Sequence, residues 1–202
     1  MRLAAALLIL GVPVLAGTPP KAAPKLESCC VAVEPLSLRT KISQPLPGCK
    51  NTILTPFRET VDGLKMLTEE EWQALGMTWP DYLAKARAAA SRHLATLTPQ
   101  VIKDSRGIVE YIKLQDPSPL TSSVLLCPEL FAQFTKMLGT PVLVVAPDRF
   151  TLFLFPRTTG TFLKHGKEIA ALFAEATYPG SDEAFEITET SLKSIGTFTT
   201  SE

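Results

Sequence analysis

Neither sign of charge is in excess in this chain: 20 Lys and Arg are matched by 20 Asp and Glu. No net field draws it onto phosphate backbones or anionic lipid, and no run of basic residues stands out, so nucleic acid is excluded as an expected partner. Histidine is also scarce, with two residues in 202. A Ser or Cys nucleophile would therefore have to use His93 or His165 as its base. The chain lacks a GxSxG elbow, a local cysteine-protease signature, a phosphate-cradling glycine loop, an HExxH pair and a calcium-loop pattern. No motif asks for a cofactor, and none is expected. Two Trp and three Tyr offer few platforms for sugar rings. The acidic residues Glu69, Glu70, Glu71 and Glu129 are accounted for by the helix starts they occupy, where negative charge is favoured.

Cysteine is sparse enough to enumerate. Four residues allow three pairings, and thiols outside the cytosol tend to be oxidised. The pair most easily closed is Cys49 with Cys29 or Cys30, because a bond between the adjacent Cys29 and Cys30 strains the peptide between them. Such a closure contributes about 3 kcal/mol. Cys127 lies among Leu125, Leu126 and Leu130 and reads as a small core residue. Adjacent cysteines followed by a lone one after a long gap lack the paired spacing of zinc motifs, so no metal is expected.

What is present begins with "MRLAAALLILGVPVLAG". One positive charge, an apolar run and small residues at Val14 and Ala16 read as a signal peptide over residues 1–16, cut after Ala16. The run is shorter than the roughly 20 apolar residues of a spanning helix, and no Cys follows for lipidation. The expectation is a secreted or periplasmic protein with no membrane attachment beyond the signal peptide. Residues 17–27, containing "TPPKAAPK", read as a flexible leader. Residues 28–63 hold three of the four cysteines and several prolines with no sustained period, and are expected to form an irregular lobe.

From residue 64 the composition is that of a globular domain, and local signals are sharp. In "LTEEEWQALG", Thr68 and Glu71 make a capping box, Leu67 and Trp72 a hydrophobic staple, and Gly76 a stop. In the next segment Thr78 caps a helix whose stripe is Trp79, Leu83, Ala86, Ala90, Leu94 and Leu97, the alanines implying a close neighbour. "GIVEYIKL", 107–114, reads as a strand. A further helix carries Leu130, Phe131, Phe134, Met137 and Leu138, with Pro128 in its first turn and Gly139 after its end; Val124 to Leu126 is either a short strand or a leading helical turn. Val142–Ala146 and Thr151–Phe155 flank "PDRF" and predict a hairpin buried on both faces. Ile169, Leu172 and Phe173 mark a last helix, broken at Pro179 and Gly180, and the tail reads as an edge strand. This order predicts an α+β fold over 64–202, helices layered on a small, largely antiparallel sheet with a central hairpin.

Three segments in this order, "LTEEEWQALGMTWPDYLAKARAAASRHLATL", "LLCPELFAQFTKMLGTPVLVVAPDRFTLFLF" and "ATYPGSDEAF", resemble the YtpQ-like family of bacterial proteins, over residues of about 64–198. That family has no assigned biochemical activity, so the resemblance implies a fold rather than a reaction. His93 stands where the family tends to carry Asn, and Phe150 where it tends to carry Asp after the hairpin turn. If those polar positions serve the family's function, it is lost or changed here.

Two functions follow. The first is a non-catalytic exported module that binds a protein or peptide, with the cysteine lobe and the hairpin tip, Asp148 and Arg149, as contact surfaces, since loops on rigid strands often carry function. The alternative is a hydrolase using His93 or His165 with a Ser or Cys127 nucleophile. His93 sits near a helix end, and His165 lies beside Lys164 and Lys167 on a solvated first turn.

Overall fold

Every strand pairing in the computed structural model, which describes residues 29–60, 63–157 and 160–198, is antiparallel. The expected signal peptide and leader lie outside the described residues. The chain runs through β1 (Cys29–Pro35), β2 (Gln44–Pro45), β3 (Thr52–Thr60), β4 (Gly63–Met66), α1 (Glu69–Leu75), α2 (Trp79–Leu94), β5 (Gln100–Lys103) and β6 (Val109–Gln115). A short 3-10 helix (Ser122–Leu126) then leads into α3 (Pro128–Leu138), β7 (Val142–Asp148), β8 (Thr151–Pro156), α4 (Thr161–Glu175), β9 (Glu183–Ile187) and β10 (Leu192–Thr197). The fold is α+β, as the order of patterns predicts.

The predicted hairpin, β7 with β8, occupies the middle of a six-stranded sheet ordered β10-β9-β7-β8-β6-β5. Its two faces have separate company. Val142, Val144, Ala146, Leu152 and Leu154 join the main core with Ala86, Ala90, Leu130 and Phe134 of α2 and α3. Leu143, Val145, Phe153 and Phe155 pack on the opposite face around Ile169 of α4. Alternate residues of a strand point to opposite faces, so a strand covered on both sides must be apolar throughout, and that is why these runs do not alternate.

The helix starts also match their signals. Thr68 Oγ1 accepts from Glu71 N–H (3.2 Å), and the Glu71 carboxylate accepts from Thr68 N–H (3.1 Å). Gly76 ends α1 at a left-handed φ of 60°. Thr78 Oγ1 caps α2 by accepting from Asp81 N–H (3.3 Å). Tyr82, missing from the expected stripe, is the centre of this helix's contact. It is fully buried against Trp72 and Trp79, and its hydroxyl donates to the carbonyls of Phe57 (2.5 Å) and Cys30 (3.1 Å). Ala86 and Ala90 then let β1 approach closely.

Residues 28–63 differ from expectation. Instead of an irregular lobe, the described part forms a second sheet, with β1 on one side of β3 and β2 and β4 on the other. β1 is buried along its whole length: Cys29, Val31 and Val33 face the main core, while Cys30 and Ala32 pack with Phe57 on the reverse. The same geometry overturns the expected disulfide between Cys49 and Cys29 or Cys30. β1 runs antiparallel to β3 with Cys29 opposite Arg58 and Pro35 opposite Thr52. Cys49, just ahead of Thr52, is therefore at the far end of the strand pair from Cys29, roughly 20 Å away at about 3.3 Å per residue. A disulfide needs Cα atoms within about 7 Å, and all four cysteines are free thiols.

The tail is a hairpin rather than a single edge strand: β9 is interior and buried, and β10 forms the edge. Gln100–Lys103, the opposite edge, was not anticipated, and the segment from Val124 to Leu126 is helical, of the 3-10 type. The predicted break at Pro179 and Gly180 serves a close approach. A Cβ at Gly180 would lie 2.2 Å from the Ala146 carbonyl oxygen, so only glycine lets this loop bond to β7, through Gly180 N–H to Pro147 O and Ser181 N–H to Ala146 O.

Candidate functional site

A register shift between Val145 and Asp148 lets the tip of the central hairpin bend away from the ladder. Asp148 Oδ1 accepts from Phe150 N–H (2.7 Å), the side-chain-to-backbone bond expected of an Asp in a turn. The two residues singled out at this tip then part company.

Arg149 turns inward. Its guanidinium pairs with Glu34 of β1, and its Cζ lies 4.8 Å from the Phe57 ring centroid and 5.1 Å from that of Tyr178. The two charged side chains are 13% and 4% exposed, so this is an ion pair removed from water and flanked by aromatic rings. The backbone of Arg149 is held as well, donating to Tyr178 O (3.2 Å) and accepting from Ser122 N–H (3.1 Å). It is a tie between the two sheets, and its charge is consumed there.

Asp148 instead lines an open recess of about 570 Å³ with Gln115, Asp116, Pro117, Phe150 and Thr151. Phe150 is steadied by edge contact with Tyr178, at 6.1 Å between centroids. Asp116 accepts from Ser118 N–H (2.8 Å), which fixes its carboxylate at the start of the Pro-rich turn. No basic side chain lines the recess among the described residues, so two carboxylates and an aromatic ring give it an anionic, partly apolar character. Asp116 and Phe150 were not read as partners of Asp148. The available signal was "QDPSPL", an Asp before a Pro-rich turn, but nothing local shows that this turn meets the hairpin tip.

The histidines do not assemble a nucleophilic set. His93 lines a separate cavity of about 240 Å³ with Cys29, Cys30, Glu59 and Arg92. Its Nε2 is 3.1 Å from Thr121 Oγ1 and 4.0 Å from Asp116 Oδ1. Thr121 Oγ1 donates its own proton to Ser118 O (2.9 Å), so His93 must be the donor on Nε2 and cannot take a proton from that hydroxyl. Burial lowers the His93 pKa against the opposing pull of Asp116 and Glu59. Burial, with Glu59 and Cys29, pushes Cys30 up to about 12, which keeps it a thiol at neutral pH. Cys127 lines a different cavity from His93, donates to Arg87 O (3.9 Å) and is pushed by burial to about 11. His165, expected on a solvated turn, stacks edge-on against Tyr111 at 4.9 Å and reaches Glu168 at 3.4 Å.

Among the described residues no group of three or more His, Cys, Asp or Glu side chains is placed to hold a metal ion, and no helix is long and apolar enough to cross a membrane. The thiol geometry is directly testable. Titration of the unfolded, unreduced protein with a chromogenic disulfide should return four thiols, and the folded protein at pH 8 should react slowly at Cys30, Cys49 and Cys127, whose pKa values burial raises to about 12, 12 and 11. A return of two thiols after unfolding would show a bridge that this strand register forbids.

Compared with protein-family models, curated proteins and solved structures, the chain matches none.

Proposed function

We propose that this chain is an exported, non-catalytic module of the YtpQ-like kind that binds a protein or peptide partner presenting a basic segment. The observation that carries this is the recess at the hairpin tip. Asp116 and Asp148 stand there beside Phe150, while the one basic residue of the tip, Arg149, is neutralised by Glu34. A Lys or Arg side chain meets both of its requirements in such a place: charge-assisted hydrogen bonds from the carboxylates and an aromatic surface for its stem or cation. Export is supported by the pattern of residues 1–16, and the family by the order of its segments.

Binding of fluorescent peptides by the purified protein tests the reading. Lys- and Arg-containing peptides should bind with an affinity that falls as salt rises, and acidic peptides should not. Asp116→Asn with Asp148→Asn keeps the acceptor oxygens of the turn while removing both charges, and should weaken binding at least about tenfold, or 1.4 kcal/mol. Binding that survives this double change would sink the assignment. A hydrolytic turnover abolished by His93→Ala with His165→Ala would replace it with an enzyme.

A further inference from the structure

A second opening, of about 300 Å³, lies away from the hairpin tip, where α2, the start of α3, the loop after β2 and the β9–β10 turn meet. Its apolar lining includes Leu46, Leu126, Phe131 and Leu192, and Cys127 contributes an uncharged thiol. Arg87 and Glu189 are the charged residues of the lining, one from α2 and one from the turn, and neither is ion-paired with another described residue. Two of the three hydroxyls of the turn are already engaged with each other. Thr188 Oγ1 and Ser191 Oγ share a hydrogen bond of 2.7 Å, and Thr188 Oγ1 also accepts from Ser191 N–H (3.1 Å). These bonds brace the turn, and the side chains left to address a ligand are one cation, one anion, the Thr190 hydroxyl and an apolar surface.

Three properties narrow the ligand. Sites for small molecules run from about 300 Å³ upward, so this one is at the small end and suits a compound of a few heavy atoms rather than a folded partner or a lipid tail. One charge of each sign complements a zwitterion, whereas a simple acid or amine leaves one of the two unmatched. The lining asks for an apolar body beside those charges. We propose that the cavity binds a free apolar α-amino acid, with its carboxylate on Arg87, its ammonium group on Glu189 and its side chain against Leu126, Phe131 and Leu192.

Calorimetry and thermal shift with leucine and phenylalanine test this. Either amino acid should bind and raise the unfolding temperature. N-acetyl-leucine, which lacks the ammonium, and leucinamide, which lacks the carboxylate, should each bind at least about tenfold more weakly. Arg87→Gln and Glu189→Gln change exposed side chains and should leave the fold intact while weakening leucine about tenfold each. Moreover, Glu189→Gln should not affect N-acetyl-leucine further. The proposal is overturned if neither amino acid binds at concentrations up to about 10 mM, if both substitutions leave binding unchanged, or if decanoate binds as tightly as leucine and ignores Glu189→Gln. Asp116→Asn with Asp148→Asn should leave leucine binding untouched, which separates this cavity from the peptide recess.

Discussion

Arg149→Ala is expected to destabilise the protein by about 3–5 kcal/mol, the cost of leaving a buried carboxylate without its counter-charge. Glu34 is 3% exposed as a residue and sits on the face of β1 that packs against the hairpin tip. With the guanidinium gone, Glu34 loses that partner, and the Phe57 and Tyr178 rings lose the flat cation beside them. Since domain stability is commonly about 5–15 kcal/mol in total, the urea midpoint should drop by a large fraction. The companion experiment fixes the cause. Arg149→Met with Glu34→Leu replaces the whole pair by apolar groups of similar length and should recover most of the loss, because burying two charges is itself expensive. A double-mutant cycle then gives a coupling energy well above the few tenths typical of exposed pairs. An unchanged midpoint for Arg149→Ala would mean that the side chain is solvated and free to serve as a contact residue.

The hairpin and the helix caps were legible because their causes are local. "PDRF" between two apolar runs, and Thr followed at the third position by Glu or Asp, each place cause and consequence within a few residues. The second sheet was not, for two physical reasons. β3 contains Pro56, which ordinarily argues against an interior strand. Here Pro56 O accepts from Leu67 N–H, so the proline's missing donor also points to that side of β3, between the last rung with β2 at Leu54 and the first with β4 at Phe57. No ladder bond is lost toward β1. The other reason is distance along the chain. Whether Arg149 faces water or Glu34 depends on a residue 115 positions away, and no spacing rule reaches that far. Turn chemistry identified the tip, but its direction, and hence the separation of Asp148 from Arg149, belongs to the tertiary fold. The meeting of Asp116 with Asp148 is hidden for the same reason.

The two sheets are joined at adjacent rungs of the β1–β3 ladder. Glu34, which holds Arg149, is opposite Ile53, and the next pair is Pro35 with Thr52. Thr52 is gripped in turn by Glu183 of β9, whose carboxylate accepts from Thr52 Oγ1 (2.5 Å), Lys50 N–H (2.9 Å) and Asn51 N–H (3.1 Å). Ser181 completes this cluster, donating to Thr52 Oγ1 (2.6 Å) and accepting from Glu183 N–H (3.0 Å). The hairpin tip is thus fixed to β1 beside the point where β9 is fixed to β3. A support of this kind holds the acidic recess in one shape and would limit the entropy lost if the proposed peptide docks there.

Glu183→Gln is the second large effect, and its size changes with pH. Glu183 is 1% exposed. Burial raises its pKa, but the hydrogen bonds from Thr52, Lys50 N–H, Ser194 and Asn51 N–H together outweigh burial and leave the carboxyl below its ordinary value. A depressed folded pKa adds stability that is complete above the unfolded value near 4.3 and disappears as pH falls through the folded one. At pH 7 the amide accepts more weakly and brings an NH2 toward groups that are themselves donors, so a loss of about 2–3 kcal/mol is expected. As pH falls below that unfolded value, the unfolded chain takes up the proton first and the folded carboxyl only at lower pH, so the gap between the two proteins should narrow with each step of acidification. Glu186, lowered by its hydrogen bond with Lys193, also gives an acid slope, but both proteins share it and it cancels in the difference. Urea midpoints for native and variant protein between pH 7 and pH 3 measure that difference. A gap that stays constant across the range would show that the carboxylate's charge contributes nothing, and that Glu183 serves only as a neutral acceptor at the junction of the two sheets.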